Sequence, residues 1–157
     1  MAEALIGGLL AAGACEPAFI CATDPVAARR DALKSRFGIR AGDENAKAVR
    51  EADLVVLAVK PQAMPAVLSD AGQACAGKLV VSIAAGVTTA LIRERIVTPR
   101  GIVRAMPNTP ALVREGVTAL TCQPDLQSDD LAAVRTLFEP VGAAVWGVVG
   151  SAVGLRD

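Results

Sequence analysis

The chain has 157 residues, 53% of them hydrophobic and 3% aromatic, with 16 Lys and Arg balanced by 16 Asp and Glu. Its length suits one domain able to bury a core. Neutrality and few aromatic rings exclude the basic footprint and stacking platforms of a nucleic-acid binder.

Cys15, Cys21, Cys75 and Cys122 are dispersed and histidine is absent, so no metal site is expected. Scattered thiols suit a reducing, cytoplasmic setting. The opening carries Glu3 and no early Lys or Arg, which is unlike a signal peptide. The longest uncharged run, Pro140 to Leu155, is shorter than the about 20 residues a membrane helix needs. A soluble protein with no membrane partner is expected.

In chain order, Ala4, Leu5, Gly8, Leu9 and Ala12 recur at helical spacing, and Gly13 supplies a stop. "AFICATD" (18–24) reads as a strand, followed by a helix from about Pro25 to Phe37. "GIRA" is a candidate edge strand, and "NAKAVREA" a short helix with Asn45 as candidate cap. "DLVVLAVKP" (53–61) is the clearest strand. Its run Leu54 to Leu57 does not alternate with polar residues, as in a parallel sheet covered on both faces.

A helix over 62–74 leads to strand "KLVVSIAAG" (78–86), and a helix over 88–95 leads to strand "GIVRAMP" (101–107). "GVTALT" (116–121) is a strand, "DDLAAVRTLFEPV" a helix, and "AAVWGVV" a last candidate strand. This alternation predicts an α/β, Rossmann-like, doubly wound and mainly parallel sheet. In such a fold the first helix follows a central strand and a G-x-G-x-x-G/A turn that brings backbone to a pyrophosphate. Here the helix stands without that strand or the leading glycines, so the sheet is expected to be incomplete at its amino end.

Three stretches at strand ends deserve the search, because ligands of open α/β sheets bind beyond the carboxyl ends of strands. In "AVKPQ" (58–62), Pro61 stops the strand and Lys60 stands over the crevice. A strand terminator with a solvated lysine explains it equally well. In "SIAAGVT" (82–88), Ala84, Ala85 and Gly86 offer bare backbone to a flat ligand, or merely a small-residue turn before a Thr88 or Thr89 cap. In "RAMPNTPAL" (104–112), two prolines bracket Asn108-Thr109 and fix two polar side chains at a strand exit. Simple turn chemistry can account for this, but a paired amide and hydroxyl at a buried strand's exit suit a ligand site better.

Together, "AVKPQ…VVSIAAGV…RAMPNTPALVREG" resembles the pyrroline-5-carboxylate reductases, which make proline by reducing a cyclic imine with a nicotinamide cofactor. The opening is similar to the end of that family's fingerprint, G-x-G-N-M-A-x-A-L-x-x-G-L, entered at Met1 and Ala2. The resemblance covers roughly residues 1–146. It implies NADPH or NADH as cofactor and a small-molecule imine as substrate.

Residue by residue, the resemblance implies that Thr23, Asp24 and Pro25 contact the adenosine ribose and that Asn45 lies on the adenine side. Ala58, Val59, Lys60 and Pro61 would line the nicotinamide half, with Ala84, Ala85 and Gly86 alongside. Met106, Pro107 and Asn108 would face the reacting ring, and Met1 belongs to the fingerprint at the cofactor. Asp24 suits a ribose 2′-hydroxyl and thus NAD. Arg29 and Arg30 are close enough to hold a 2′-phosphate, and Asp24 also suits a plain cap of the helix after Pro25.

Against that family, residues 1–157 lack the first strand with its glycine turn. They also lack the all-helical C-terminal domain, through which the family forms its oligomer and holds the imine carboxylate. The expected organisation is a partial dinucleotide-binding domain over 1–146 and a divergent tail over 147–157. No catalytic residue is assigned, and the chain is expected to be inactive alone. The alternative is a non-catalytic dinucleotide-binding or interaction remnant.

Overall fold

The computed structural model describes residues 1–122 and 126–147. The opening pattern forms α1 (Ala2–Ala11), and Gly13 turns left-handed at φ +64° just beyond it. The Gly13 N–H donates to the Leu10 carbonyl and the Ala14 N–H to that of Leu9. These bonds satisfy carbonyls that the helix leaves open at its end.

The first strand, β1 (Cys21–Thr23), is shorter than the predicted 18–24, because Pro17–Phe19 winds into a 3₁₀ turn. Proline's fixed φ suits that turn. After α2 (Ala27–Phe37) comes β2 (Arg40–Gly42), which pairs in parallel with β1, Cys21 opposite Arg40. Then follow α3 (Asn45–Arg50) and β3 (Leu54–Leu57), which is shorter than the predicted 53–61 and ends four residues before Pro61. Pro61–Ala63 makes a 3₁₀ turn into α4 (Met64–Ala71), so the helix predicted over 62–74 is one α-helix between two tighter turns.

Next is β4 (Leu79–Ser82), and α5 (Thr89–Arg93) is capped by Thr88. The Thr88 hydroxyl oxygen accepts from the Leu91 N–H at 3.2 Å, which meets one of the open donors of the first turn. The remaining elements are β5 (Gly101–Pro107), β6 (Gly116–Cys122), α6 (Ser128–Phe138) and β7 (Gly142–Trp146).

Five strands form one sheet in the order β3-β4-β5-β6-β7, while β1 and β2 form a separate two-stranded sheet. All pairs are parallel except β5 with β6. Within the described residues, β1 and β3 each have a strand neighbour on one side only. The described part of "AAVWGVV" lies beside β6, at the edge opposite β3. Of the predicted tail, only Gly147 is among the described residues, and its N–H donates to the Leu120 carbonyl at 2.8 Å.

Over β3, β4 and the first half of β5 the large sheet is covered on both faces, and over β6 and β7 on one. One face packs Val55, Leu57, Val80 and Ile102 against Met64 and Leu68 of α4 and Ile92 of α5. The other packs Leu79, Val81, Val103 and Leu120 against Leu5 of α1 and Val134, Leu137 and Phe138 of α6. That arrangement accounts for the unbroken apolar runs: in β4 all four residues are buried. At its first turn α6 is tied to the start of β5 by Arg100 and Asp130, 3.0 Å apart.

Two outcomes test this packing. Gly142 has φ +139°, and a Cβ there would overlap the Gly116 carbonyl of its register partner. Gly142→Ala is expected to cost more than about 1 kcal/mol, read as a lowered denaturant midpoint; an unchanged midpoint contradicts the close β6–β7 approach. Cys75 is buried and Cys21 exposed, and burial pushes the Cys75 thiol up from its ordinary value. Alkylation near neutral pH is expected to modify Cys21 in the native protein and Cys75 only after denaturation. Early labelling of Cys75 contradicts the packing of that face.

Candidate functional site

The parallel strands put their carboxyl ends level. Leu57, Ser82 and Arg104 stand side by side in register across β3, β4 and β5. One step on, the Ile83 N–H donates to the Leu57 carbonyl at 3.2 Å. The chain leaving β3 through Ala58, Val59, Lys60 and Pro61 therefore emerges next to the chain leaving β4 through Ala84, Ala85 and Gly86. The end of β5, with Met106 and Pro107, continues beside them.

Local chemistry fixes each exit. Pro61 opens the 3₁₀ turn, and the Ala63 N–H closes it on the Lys60 carbonyl at 2.9 Å. Ala58, Lys60 and Pro61 are exposed, and Val59 is half-buried. Ser82 is fully buried, and its hydroxyl oxygen accepts from the Ala84 N–H at 3.4 Å. Ala84 is buried beneath the turn, while Ala85 and Gly86 are exposed. Gly86 sits at φ +73°, and no atom lies within 4 Å of where its Cβ would be. The backbone conformation alone thus calls for glycine here, and the turn also faces open space.

The third stretch is a built hairpin exit. Asn108 exchanges two bonds with Val117: its N–H donates to the Val117 carbonyl at 3.2 Å, and its Oδ1 accepts from the Val117 N–H at 2.9 Å. The carboxamide oxygen is thereby engaged in the turn, against the expectation that it serves a ligand. Met106 is exposed and Pro107 half-buried.

The end of β1 forms a second group. Asn45 is the first residue of α3 and does not cap it; the capping position is Glu44. The Asn45 side chain bridges instead. Its Nδ2 donates to Asp70 Oδ2 at 2.9 Å, and its Oδ1 accepts from the Thr23 hydroxyl at 2.7 Å. A carboxylate only accepts, so Asp70 fixes the orientation of the amide and obliges Thr23 to donate. This relay ties β1 to α3 and α4, and hence the small sheet to the large one. Thr23 and Asn45, predicted separately, are brought into contact; Asp70 was missed, since a partner 25 residues away leaves no local pattern.

Asp24 sits at the loop into α2. Its Oδ1 accepts from the Val26 N–H at 2.8 Å, a side-chain turn. The helix itself begins later, at Ala27. Oδ2 lies 3.6 Å from Arg29 Nε. Arg30 folds back over the same loop, donating to the Asp24 and Pro25 carbonyls at 2.9 and 3.0 Å and standing 3.4 Å from Asp43. Each arginine near the end of β1 therefore has an acidic neighbour.

Met1 precedes α1, and its carbonyl accepts from the Ala4 and Leu5 N–H groups. A cavity of about 500 Å³ between α1, α2 and the turn at Thr109–Val113 is lined by Glu3, Arg36, Phe37 and Arg114, and includes none of the predicted site residues. A second cavity, about 310 Å³, adjoins Thr23, Gly42, Asp43, Glu44 and Lys47.

Helices packed on a mostly parallel sheet, with open turns at the carboxyl ends of β3 and β4, define an α/β domain of the Rossmann-like class. The family model described as NADP oxidoreductase coenzyme F420-dependent matches residues 1–86, and the chain belongs to that family. It is similar to the pyrroline-5-carboxylate reductase of Pseudomonas aeruginosa, 43% identical over 147 residues that cover 93% of this chain and 54% of that relative. Among solved structures, a pyrroline-5-carboxylate reductase from Coxiella burnetii superposes with a TM-score of 0.87 at 34% identity, over 96% of this chain and 56% of that one. Plasmodium falciparum pyrroline carboxylate reductase, solved with NADP bound, superposes with a TM-score of 0.79 at 26% identity, over 92% of this chain and 53% of that one. The chain thus spans about half the length of the curated relatives it matches.

The relay makes a prediction of its own. Asp70→Ala removes the acceptor that orients Asn45 and should cost about 1 kcal/mol. The loss should be felt locally, as faster hydrogen exchange at residues 21–23 and 40–42 with β4 and β5 unchanged. Uniform acceleration, or none, contradicts the relay's role.

Proposed function

We propose that the chain is the nucleotide-binding half of a pyrroline-5-carboxylate reductase, an enzyme that reduces 1-pyrroline-5-carboxylate to proline with NADPH or NADH. The observation that carries this reading is the side-by-side emergence of Ala58–Pro61, Ala84–Gly86 and Met106–Asn108 at one sheet edge. These are the three stretches that carry the resemblance.

In this reading Ala58, Val59, Lys60 and Pro61, with Ala84, Ala85 and Gly86, line the nicotinamide half, and Met106, Pro107 and Asn108 face the imine. Thr23, Asp24 and Pro25 take the adenosine ribose, Asn45 acts on the adenine side through Thr23, and Met1 stands by the cofactor at the start of α1. The residues fit such a group: Ala85 is exposed, and the Gly86 turn opens onto free space, so a flat ligand can lie against backbone. When bound, the dinucleotide supplies the hydride that reaches the imine carbon, while the ring nitrogen takes a proton. The chain's part is to bind, to orient the ring and to keep side chains out of its way.

The same reading gives the substrate side and the oligomer contacts to the C-terminal half of a longer protein. Support comes from an uncovered apolar face. Met106, Val117 and Val145 share one side of β5, β6 and β7 by register and are 39%, 48% and 53% exposed. A cytoplasmic setting is supported by four free thiols, and among the described residues no helix is long and apolar enough to cross a membrane.

Calorimetric titration with NADH and NADPH tests the site. Ala85→Glu places a carboxylate against an anionic ligand and should weaken binding about tenfold or more; equal affinity removes this turn from the site. Residues 1–157 alone are expected to show no oxidation of either cofactor that depends on pyrroline-5-carboxylate. Turnover by the pure chain contradicts the assignment of substrate contacts to the other half.

A further inference from the structure

We infer that the ribose end of this site is built for a free 2′-hydroxyl, so that the chain takes NADH in preference to NADPH, with Asp24 as the discriminating residue. The inference rests on the dinucleotide reading above and adds to it the choice of cofactor.

Hydrogen-bond polarity is the first argument. Asp70 orients Asn45, and Asn45 engages the Thr23 proton. What Thr23 presents to a ligand is therefore oxygen lone pairs. Asp24, next in sequence, presents a carboxylate that is 22% exposed. Two adjacent acceptors match a ribose diol, which has two hydroxyls to donate. A 2′-phosphate brings only acceptors and negative charge to the same place.

Charge is the second argument. A phosphate at this position needs an arginine, and each nearby arginine has an acidic neighbour. Arg30 is held along the loop by two backbone carbonyls and Asp43, with its side chain only 18% exposed. Arg29 is outside, but its Nε lies 3.6 Å from Asp24 itself. Glu44 follows Asp43 at the end of β2, so the second wall of the site is acidic as well. The facing cations are Arg29 and Arg30 from α2, Arg40 from β2 and Lys47 from α3; the facing anions are Asp24, Asp43, Glu44 and Glu51. Three of the four cations have an acid beside them before any ligand arrives.

The test is parallel equilibrium titration of the chain with NADH and with NADPH at one ionic strength. Asp24→Asn is the informative variant. It keeps an oxygen for the Val26 N–H, removes the charge and releases Arg29. NADH is expected to bind about tenfold more tightly to the native chain, and Asp24→Asn to shift the ratio toward NADPH by about as much. Asp43→Asn, which frees Arg30 from the other wall, should shift it the same way. NADPH binding at least as tightly as NADH to the native chain overturns the inference and leaves the dinucleotide reading standing. So does a ratio that neither variant moves. Failure of both cofactors to bind overturns the dinucleotide reading and the inference with it.

Discussion

Everything at the carboxyl edge depends on the burial of β4. Leu79, Val80, Val81 and Ser82 pair in parallel on both sides and are covered on both faces. A strand so enclosed has no freedom of register, since a one-residue slip would exchange its two buried faces. Its exit is then fixed to within a residue. Ser82, buried in register between Leu57 and Arg104, holds the Ala84 N–H and starts the turn that Gly86 completes. The neighbouring exits, Ala58–Pro61 and Met106–Asn108, inherit their positions from this ladder. The site is a by-product of how tightly the middle of the sheet is held.

The small sheet is held differently. Its two strands are three residues each, too short to be stable by themselves. Side-chain hydrogen bonds from Thr23 through Asn45 to Asp70 tie it to α3 and α4. Surface ion pairs, Arg40 with Glu51 and Arg36 with Glu3, bridge neighbouring elements, and exposed pairs of that kind contribute little. In the proposed reading, the adenosine end of the site therefore rests on a few polar contacts, and the nicotinamide end on a packed core. Motion on ligand binding should concentrate at the adenosine end.

What could be read beforehand follows the same division. The strand over 101–107 was legible to the residue, because a run of β-branched and apolar residues ending in proline admits few other conformations. The three exits were legible as well, since proline and glycine mark them directly. Asn45 misled, as its place before an apolar run suits a cap, yet its amide is taken by Thr23 and Asp70. Asp70 and Asp43 left no trace in the local pattern; their roles exist only once α4 and β2 are packed. Asp24 admitted two readings from sequence, and the loop geometry replaces the helix cap with a turn: its Oδ1 accepts from the Val26 N–H, Val26 itself holds the capping position of α2, and the carboxylate stays partly exposed.

The most direct measurement is a map of backbone amide shifts as NADH is titrated into the isotope-labelled chain. Perturbations are predicted at Thr23 and Asp24, at Val59 and Lys60, at Ala84 to Gly86 and at Met106 and Asn108. A map centred on the cavity lined by Glu3, Arg36 and Arg114, with the strand exits silent, would contradict the account.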